Sequence, residues 1–548
     1  MAPGDLPVDL WRWGLALSPI VVLLVLLAVR GWKAPQAAPA GMALAALIAL
    51  TAFRTPMENL AVAAGKGIWD ALFILFVIWP ALLLYRVVDN AGGFEALRRG
   101  VLRFSRNEVF LVLGFGWVFA SFLQGITGFG TPIAVVAPLL VAIGVRPVYA
   151  VVIPLIGHAW ANLFGTLAVA WLATLQVVDL RDETSTAVQT AVLLVVPNLL
   201  AGVWITWLVG RGAALRHAWP LIIIIGVIHG GGQLLLAWWS PVLANFLATT
   251  AALLVLYPLS NWRRFSEDPA DVDGRPAMQR ESARSEEETE PDPVMGIGMA
   301  VVPYAVLTVV AVSTVAIDPI ESALSSFELG IAFPAVDTGY GVTTGVEDPY
   351  NAFAPAVHPG TFLLLAAAAA WLLYRSRDYY DAWSRAASDS DVESDVEPIG
   401  AGVVGDAVPA SLAVVGFLVL SQIMAHSGQT DVLALGISEV APAGVYAFFA
   451  GWIGLLGSFM TSSNTASNIL FAPLQQTLAE AEGLTESTVI ASQQAGAAVG
   501  NAASPANVVL GTGAAGIVGE EGSVLRKVLP YAAVAALTVG AGTVLMLA

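Results

Sequence analysis

Cysteine is missing from all 548 residues. A disulfide framework, a thiolate metal site and a thiol nucleophile are therefore excluded. Charge is scarce as well. Asp, Glu, Lys and Arg make up 12% of the chain, against about a quarter in an ordinary soluble domain. Lysine is nearly absent, Lys33, Lys66 and Lys527 being its whole complement. A net charge of −17 leaves none of the basic surface that a nucleic-acid partner requires. Neither a G-x-x-x-x-G-K-[ST] phosphate loop nor an H-E-x-x-H helix occurs, so ATP-driven transport within the chain and zinc peptidase chemistry have no support.

What is present is hydrophobic, at 57% of residues. Apolar runs lie near 18–29, 38–53, 67–88, 108–124, 148–177, 187–210, 218–236, 241–258, 296–317, 361–374, 403–425, 441–457, 487–515 and 528–547. Runs of roughly 17–25 residues span a bilayer as helices. The pattern predicts an all-α polytopic membrane protein with about 12–14 transmembrane helices. The first run lacks an obvious A-x-A cleavage site and reads as a retained helix. Residues 1–261 form an N-terminal membrane half and 295–548 a C-terminal half. Between them 262–294 is rich in Pro, Asp, Glu and Ser and reads as a disordered acidic linker. A second acidic linker lies at 376–400, and 318–360 reads as an ordered extramembrane loop or a re-entrant piece. Arg211, Arg216, Arg263, Arg264, Arg375, Arg377 and Arg385 assign their loops to the cytoplasm.

The most telling stretch is Gly457 to Asn468, a run of small hydroxyl and amide side chains with no charge inside hydrophobic sequence. Such groups survive at membrane depth only inside protein or beside a wet cavity. A weaker copy runs from Gln124 to Pro132. Ala137-Pro138-Leu139 matches Ala472-Pro473-Leu474, and each copy is followed by an apolar helix that turns polar midway, at His158 to Thr166 and at Gly500 to Asn507. The shared pattern is polar hairpin, apolar run, broken helix, giving repeats at about 122–178 and 457–516. Re-entrant hairpins and broken helices in corresponding halves point to a transporter's binding site. Eight spans between the motifs would run the halves parallel, whereas inverted repeats need an odd number, so the hand of the repeat stays open. The expected substrate-binding residues are Thr127, Gly128, Gly130, Thr131, His158, Asn162, Ser462, Ser463, Asn464, Thr465, Asn468, Asn501, Ser504 and Asn507. Helix N-termini there suit a carboxylate, and amide or hydroxyl oxygens suit a cation, with Ser463, Asn464, Thr465 and Asn501 the candidate sodium ligands. Close helix packing explains the isolated glycines better than function does. It explains the asparagines poorly.

Other polar groups read as structural or open. His158 fits a proton relay, a substrate contact or a hydrogen bond to a neighbouring helix. His229 is expected to be structural, His217 and His358 to lie in loops or interfaces, and His426 and Asp431 to face solvent at a span end. Asp70 and Asp89 are expected to snorkel or to pair with Lys66 and Arg86.

Through Phe122-Leu123-Gln124-Gly125, Gly128 to Ala134, Met424 to Thr430, Ser462 to Phe471, Ser504-Pro505 and Ala515 to Gly519, the chain resembles the lactate permease family. Members of that family are bacterial and archaeal lactate/glycolate:H+ symporters, which implies a secondary active symporter of small monocarboxylates. The Ser-Asn-Thr element also resembles the hairpin tips of dicarboxylate/sodium carriers, implying elevator-like motion. Typical members carry Glu, Asp and Lys where this chain has Gln124, Asn464 and Asn501. An acid and a base are thus lost together, which suggests that a buried ion pair is deleted as a unit. An uncharged shell of this kind suits Na+, leaving H+ or Na+ as the coupling ion and no cofactor. Acidic loops with few lysines resemble proteins of a haloarchaeal cytoplasm, with GC-rich genomic bias the alternative. The expected partners are a small organic anion, the cell membrane's lipid bilayer and a second copy of the chain in a homodimer. A sodium-coupled carrier of another organic anion, such as a dicarboxylate, is the rival within transport. A channel would pass current without saturable competition, a receptor lacks a signalling domain, and an intramembrane enzyme lacks a clustered His/Asp/Glu set.

Overall fold

A computed structural model describes residues 6–102, 105, 107–128, 130–267, 276–279, 294–388 and 397–548. Within the first acidic stretch, expected to be disordered, 268–275 and 280–293 lie outside the described residues, and within the second, 376–400, only 389–396 do; Tyr379–Ser388 of the second is helical, not an unstructured linker. Four residues within the first stretch do pack. Met278 bridges to Val145, and the Arg146 amide donates to the Ala277 carbonyl.

The first helices are α1 (Leu10–Leu24), α2 (Ala34–Thr51), α3 (Met57–Asp89) and α4 (Gly93–Leu102). Next come α5 (Glu108–Leu113), α6 (Ala120–Ile126), α7 (Thr131–Ala142), α8 (Pro147–Gly157), α9 (Gly165–Leu175), α10 (Glu183–Gly226), α11 (Gly232–Trp239), α12 (Pro241–Ser260) and α13 (Arg263–Ser266). After α14 (Ile297–Ala316) and α15 (Asp318–Leu324) four short strands follow: β1 (Leu329–Phe333), β2 (Val336–Asp337), β3 (Thr343–Thr344) and β4 (Glu347–Phe353). The remainder is helical: α16 (Pro359–Ser376), α17 (Tyr379–Ser388), α18 (Ile399–Ser427), α19 (Gln429–Ser438), α20 (Ala443–Thr461), α21 (Asn464–Ala481), α22 (Glu486–Gly500), α23 (Pro505–Ala514) and α24 (Glu521–Leu547).

Local chemistry sets many of these starts. Asp9, Asn107 and Asp182 accept backbone amides at the N-termini of α1, α5 and α10, satisfying donors that have no intrahelical partner. Pro147, Pro241, Pro359 and Pro505 open α8, α12, α16 and α23, where a missing N–H costs nothing. Gly428, at φ 82°, ends α18.

Ten helices among the described residues are long and apolar enough to cross a membrane, or up to eleven with the bent α8–α9 pair taken as one span. The protein is an all-α polytopic membrane protein. The expected runs 187–210 and 218–236 fall within one helical stretch of 57 residues, Glu183–Trp239. That length is about 85 Å, far beyond the roughly 30 Å of hydrocarbon. The backbone leaves helical geometry at Gly210 and Arg211, between the two runs, so the stretch is long enough for two spans.

Helices from both sequence halves mix in each of two packed bundles. In the first, α3 and α18 form the central pair, flanked by α1, α2, α14, α16 and α19. In the second, α20 and α22 pack together against α10, α21 and α24, with α5 to α9, α11, α12 and α23 around them. The bundles meet where α21 lies on α18 and α19, and where α9 lies on α3. The strands form a small lobe in which β1 pairs with β4 and β2 with β3, both antiparallel. It is fastened to the first bundle through Gly339 N to Arg54 O (2.9 Å) and Arg12 to the Tyr340 hydroxyl (2.7 Å).

Candidate functional site

The tip between α20 and α21 is built by capping. The Thr461 hydroxyl lies within bonding distance of the Gly457 and Ser463 carbonyls. Ser462 turns the chain at φ 56°, and Ser463 caps α21 by accepting from the Ala466 amide (3.2 Å). Asn464, Thr465 and Asn468 are all buried in the first turns of α21. Asn464 and Asn468 share one face of the helix, four residues apart. Both nitrogens and both oxygens of these two amides lack a hydrogen-bond partner among the described residues. Ser467, by contrast, is spent on packing, donating to the Gly454 carbonyl of α20 (2.8 Å).

The tip between α6 and α7 is tighter. Thr127 ends α6 with its hydroxyl on the Leu123 carbonyl (3.0 Å), and the Thr131 amide donates to the Gly128 carbonyl (2.9 Å). Gly128 and Gly130 have φ of 54° and 86°. A Cβ at Gly128 would stand 2.2 Å from Thr166 Oγ1, and one at Gly130 2.3 Å from Leu510 Cδ2. Both positions therefore favour glycine for conformation, and Gly128 also for space against the buried Thr166, whereas the partly exposed Leu510 side chain can move aside.

Each tip faces a broken helix. α8 stops at His158, residues Ala159–Ala161 make one 3₁₀ turn, and α9 starts at Gly165 with its axis bent by 53°. Thr166, Leu167 and Ala168 then run at positive φ. Each such non-glycine residue costs about 1–2 kcal/mol, so the buried surroundings must hold them there. In the second break α22 gives way at Asn501–Ala503, and Ser504 caps α23 by accepting from the Asn507 amide (3.3 Å).

The two breaks are joined by a line of amides. Asn162 donates to the Ala498 carbonyl (3.3 Å), Asn501 donates to Asn162 Oδ1 (3.2 Å), and Asn507 donates to Asn501 Oδ1 (3.3 Å). Both tips touch the first turns of α23: the Ala506 amide donates to Ser462 Oγ (3.2 Å), and Gly130 abuts Leu510. The structure thus brings Gly130, Asn162, Ser462, Asn501, Ser504 and Asn507 together.

His158 is buried, with Nδ1 on the Pro154 carbonyl one turn back. Other expectations need correction. Among the described residues no hydrogen bond joins Asn501 to Ser463, Asn464 or Thr465. His426 is buried against Asn59 and Thr344 because the lobe covers the span end expected to face solvent. Lys66 pairs with Glu347 (2.9 Å) and Arg86 with Asp406 (2.6 Å), leaving Asp70 and Asp89 to other partners.

Sequence reasoning passed over a second amide cluster behind the tip. Gln475 donates to the Ala450 carbonyl (3.1 Å) and to Gln493 Oε1 (3.1 Å), while Gln493 reaches Ser467 Oγ (3.3 Å). The signal was the pair Gln493-Gln494 inside an apolar run, where each amide needs a partner just as the asparagines do. Among the described residues no group of three or more His, Cys, Asp or Glu could hold a metal ion.

Similarity to known proteins runs along the same stretches. The family model described as L-lactate permease matches residues 14–339 and 393–548. The L-lactate permease of Escherichia coli strain K12 is 25% identical over 562 residues, covering 98% of this chain and 96% of that one. Glycolate permease GlcA of the same strain is 26% identical, covering 97% and 94%. The L-lactate permease of Halalkalibacterium halodurans is 25% identical, covering 94% and 93%. This multi-pass protein of the cell membrane is a transporter and not an enzyme, and it belongs to the L-lactate permease family.

Proposed function

We propose that the chain is a secondary active symporter of small monocarboxylates, L-lactate first and glycolate second, driven by a proton or sodium gradient. The observation that carries this reading is the pair of unpartnered amides, Asn464 and Asn468, at the start of α21. Amide nitrogens beside the positive end of a helix suit a carboxylate. A single carboxylate with a hydroxyl on the next carbon would take the Nδ2 donors with its oxygens. The amide line Asn162–Asn501–Asn507 and the Ser462 tip would close the chamber from the α23 side, and the two tips would meet in a re-entrant, elevator-like arrangement. The names of the relatives, lactate and glycolate permeases, support the same substrate class.

A second reading, a sodium-coupled carrier of another organic anion such as a dicarboxylate, draws on the same uncharged shell, because the free Oδ1 atoms of Asn464 and Asn468 suit a cation. Counterflow in proteoliposomes separates the two. Labelled L-lactate and glycolate are expected to exchange saturably while a dicarboxylate does not compete. Exchange of the dicarboxylate without L-lactate contradicts the first reading. Uptake under separately imposed H+ and Na+ gradients identifies the coupling ion.

A further inference from the structure

A second polar centre lies outside the amide line, where the lobe meets the first bundle. Asp70 of α3 is 0% exposed. Its Oδ1 accepts from Asn351 Nδ2 (2.9 Å), and its Oδ2 accepts from the Tyr350 hydroxyl (2.9 Å) and from Gln422 Nε2 (2.9 Å). The other charged and titratable groups that face it are few. Lys66 on the same helix pairs with Glu347 of β4 and sits 4.7 Å from the centre of the Tyr350 ring. His426 of α18, one turn beyond Gln422, bonds Asn59 (3.3 Å). Asp70 is therefore a fully buried carboxylate held by three neutral donors, with the nearby ammonium committed to another acid.

This arrangement has two states. Ionised, the carboxylate only accepts, and all three donors are satisfied. A proton on Oδ2 adds a donor at the atom that already takes two. The Tyr350 hydroxyl can reverse and accept that proton, while the Gln422 amide, which also donates to the Tyr350 hydroxyl (2.9 Å), is left with a neutral and weaker acceptor in place of a carboxylate. Gln422 is well placed to pass that change on. Its neighbour Ser421 donates to the Ile469 carbonyl (2.9 Å), one residue past Asn468 in α21. On the other side Asn351 also reaches the Gln176 carbonyl (3.4 Å) at the end of α9. The cluster thus touches both helices that leave the candidate site.

We infer that Asp70 binds the coupling proton, with Gln422 and Ser421 carrying its charge state to α21. The inference rests on the symporter reading and adds the ion and its seat, away from the uncharged tips. Protons reach it from solvent past Glu347, which is 39% exposed. Asp70 and Gln422 lie in stretches that the family model matches, whereas Tyr350 and Asn351 lie in 340–392, which it does not match. The lobe donors accordingly set the pH at which this chain's carboxylate loads.

The test uses the full chain in proteoliposomes. In Asp70→Asn, L-lactate counterflow is expected to stay within about threefold of wild type, while uphill accumulation under an imposed pH gradient falls at least about tenfold. Wild-type protein should acidify the lumen as labelled L-lactate enters, and Tyr350→Phe should shift the pH midpoint of uptake. Accumulation by Asp70→Asn within twofold of wild type overturns the proposal, as does wild-type uptake without proton entry, a result that needs no variant to fold. Loss of both exchange and accumulation in Asp70→Asn of unchanged melting temperature also overturns it, by making Asp70 part of the substrate chamber. Absence of counterflow in wild type sinks the monocarboxylate reading itself, and this inference with it.

Discussion

A buried amide with no partner costs stability, about 1–3 kcal/mol, so its presence asks for an explanation other than packing. Asn464 and Asn468 are in that position and Asn162 is not. This difference separates two variants. Asn464→Ala deletes no hydrogen bond and relieves that cost, so the melting temperature should hold or rise while L-lactate uptake drops by about tenfold or more. Asn162→Ala orphans the Ala498 carbonyl and its partner Asn501, and should destabilise by about 1–3 kcal/mol, read by thermal unfolding in detergent. Asp431, in the short helix α19, illustrates the opposite sign. Burial pushes its carboxyl up to about 6, above its unfolded value of about 3.9. The native state therefore holds the proton more tightly, and stability falls as pH rises between those two values. Asp431→Asn should flatten that slope and raise the melting temperature at neutral pH. The asparagines were legible in sequence because an amide stands out in apolar surroundings. The partners of Lys66 and Asp70 were not. Lys66 and Asp70 are four apart on one helix, where pairing is the local expectation, yet each bonds to residues about 280 positions away, a distance no periodicity reports.

At the scale of elements, the apolar helices were readable in sequence and the connections between them were less so. Gly128 and Gly130 read in sequence as site residues, and the structure adds that both hold positive φ. Gly128→Ala should abolish uptake, since strain acts there and the added methyl meets the buried Thr166. Gly513→Ala, with nothing within 4 Å of the added methyl, should transport like wild type in the same assay. The break after His158 was legible as polar residues inside an apolar run. The left-handed turn at Thr166–Ala168 was not, because no glycine announces it. Runs 187–210 and 218–236 read as separate spans, and the non-helical backbone at Gly210 and Arg211 divides the 57-residue stretch between them.

At the scale of the molecule, the lobe and the two bundles were the least legible features. Residues 318–360 showed only prolines, glycines and mixed polarity, yet they fold into strands that bury Tyr350 and cover Lys66, Asp70 and His426. A buried ammonium without its carboxylate is costly. Glu347→Gln should therefore lower the melting temperature more than Lys66→Met, which removes the charge altogether. Where the bundles meet, α21 carries the unpartnered amides in its first turns and rests on α18 and α19, with Ser421 of α18 bonded to Ile469 beside Asn468, which places the proposed chamber next to that interface.

The most direct measurement uses the chain's lack of cysteine. Ser463→Cys places one thiol at the half-buried tip of α21, and its modification by a water-soluble thiol reagent can be followed in proteoliposomes. The account predicts that the thiol is modified and that L-lactate slows the modification in a saturable way, while an inert sugar does not. A thiol that reacts at the same rate with and without L-lactate, or that never reacts, would contradict a water-accessible carboxylate site at this tip.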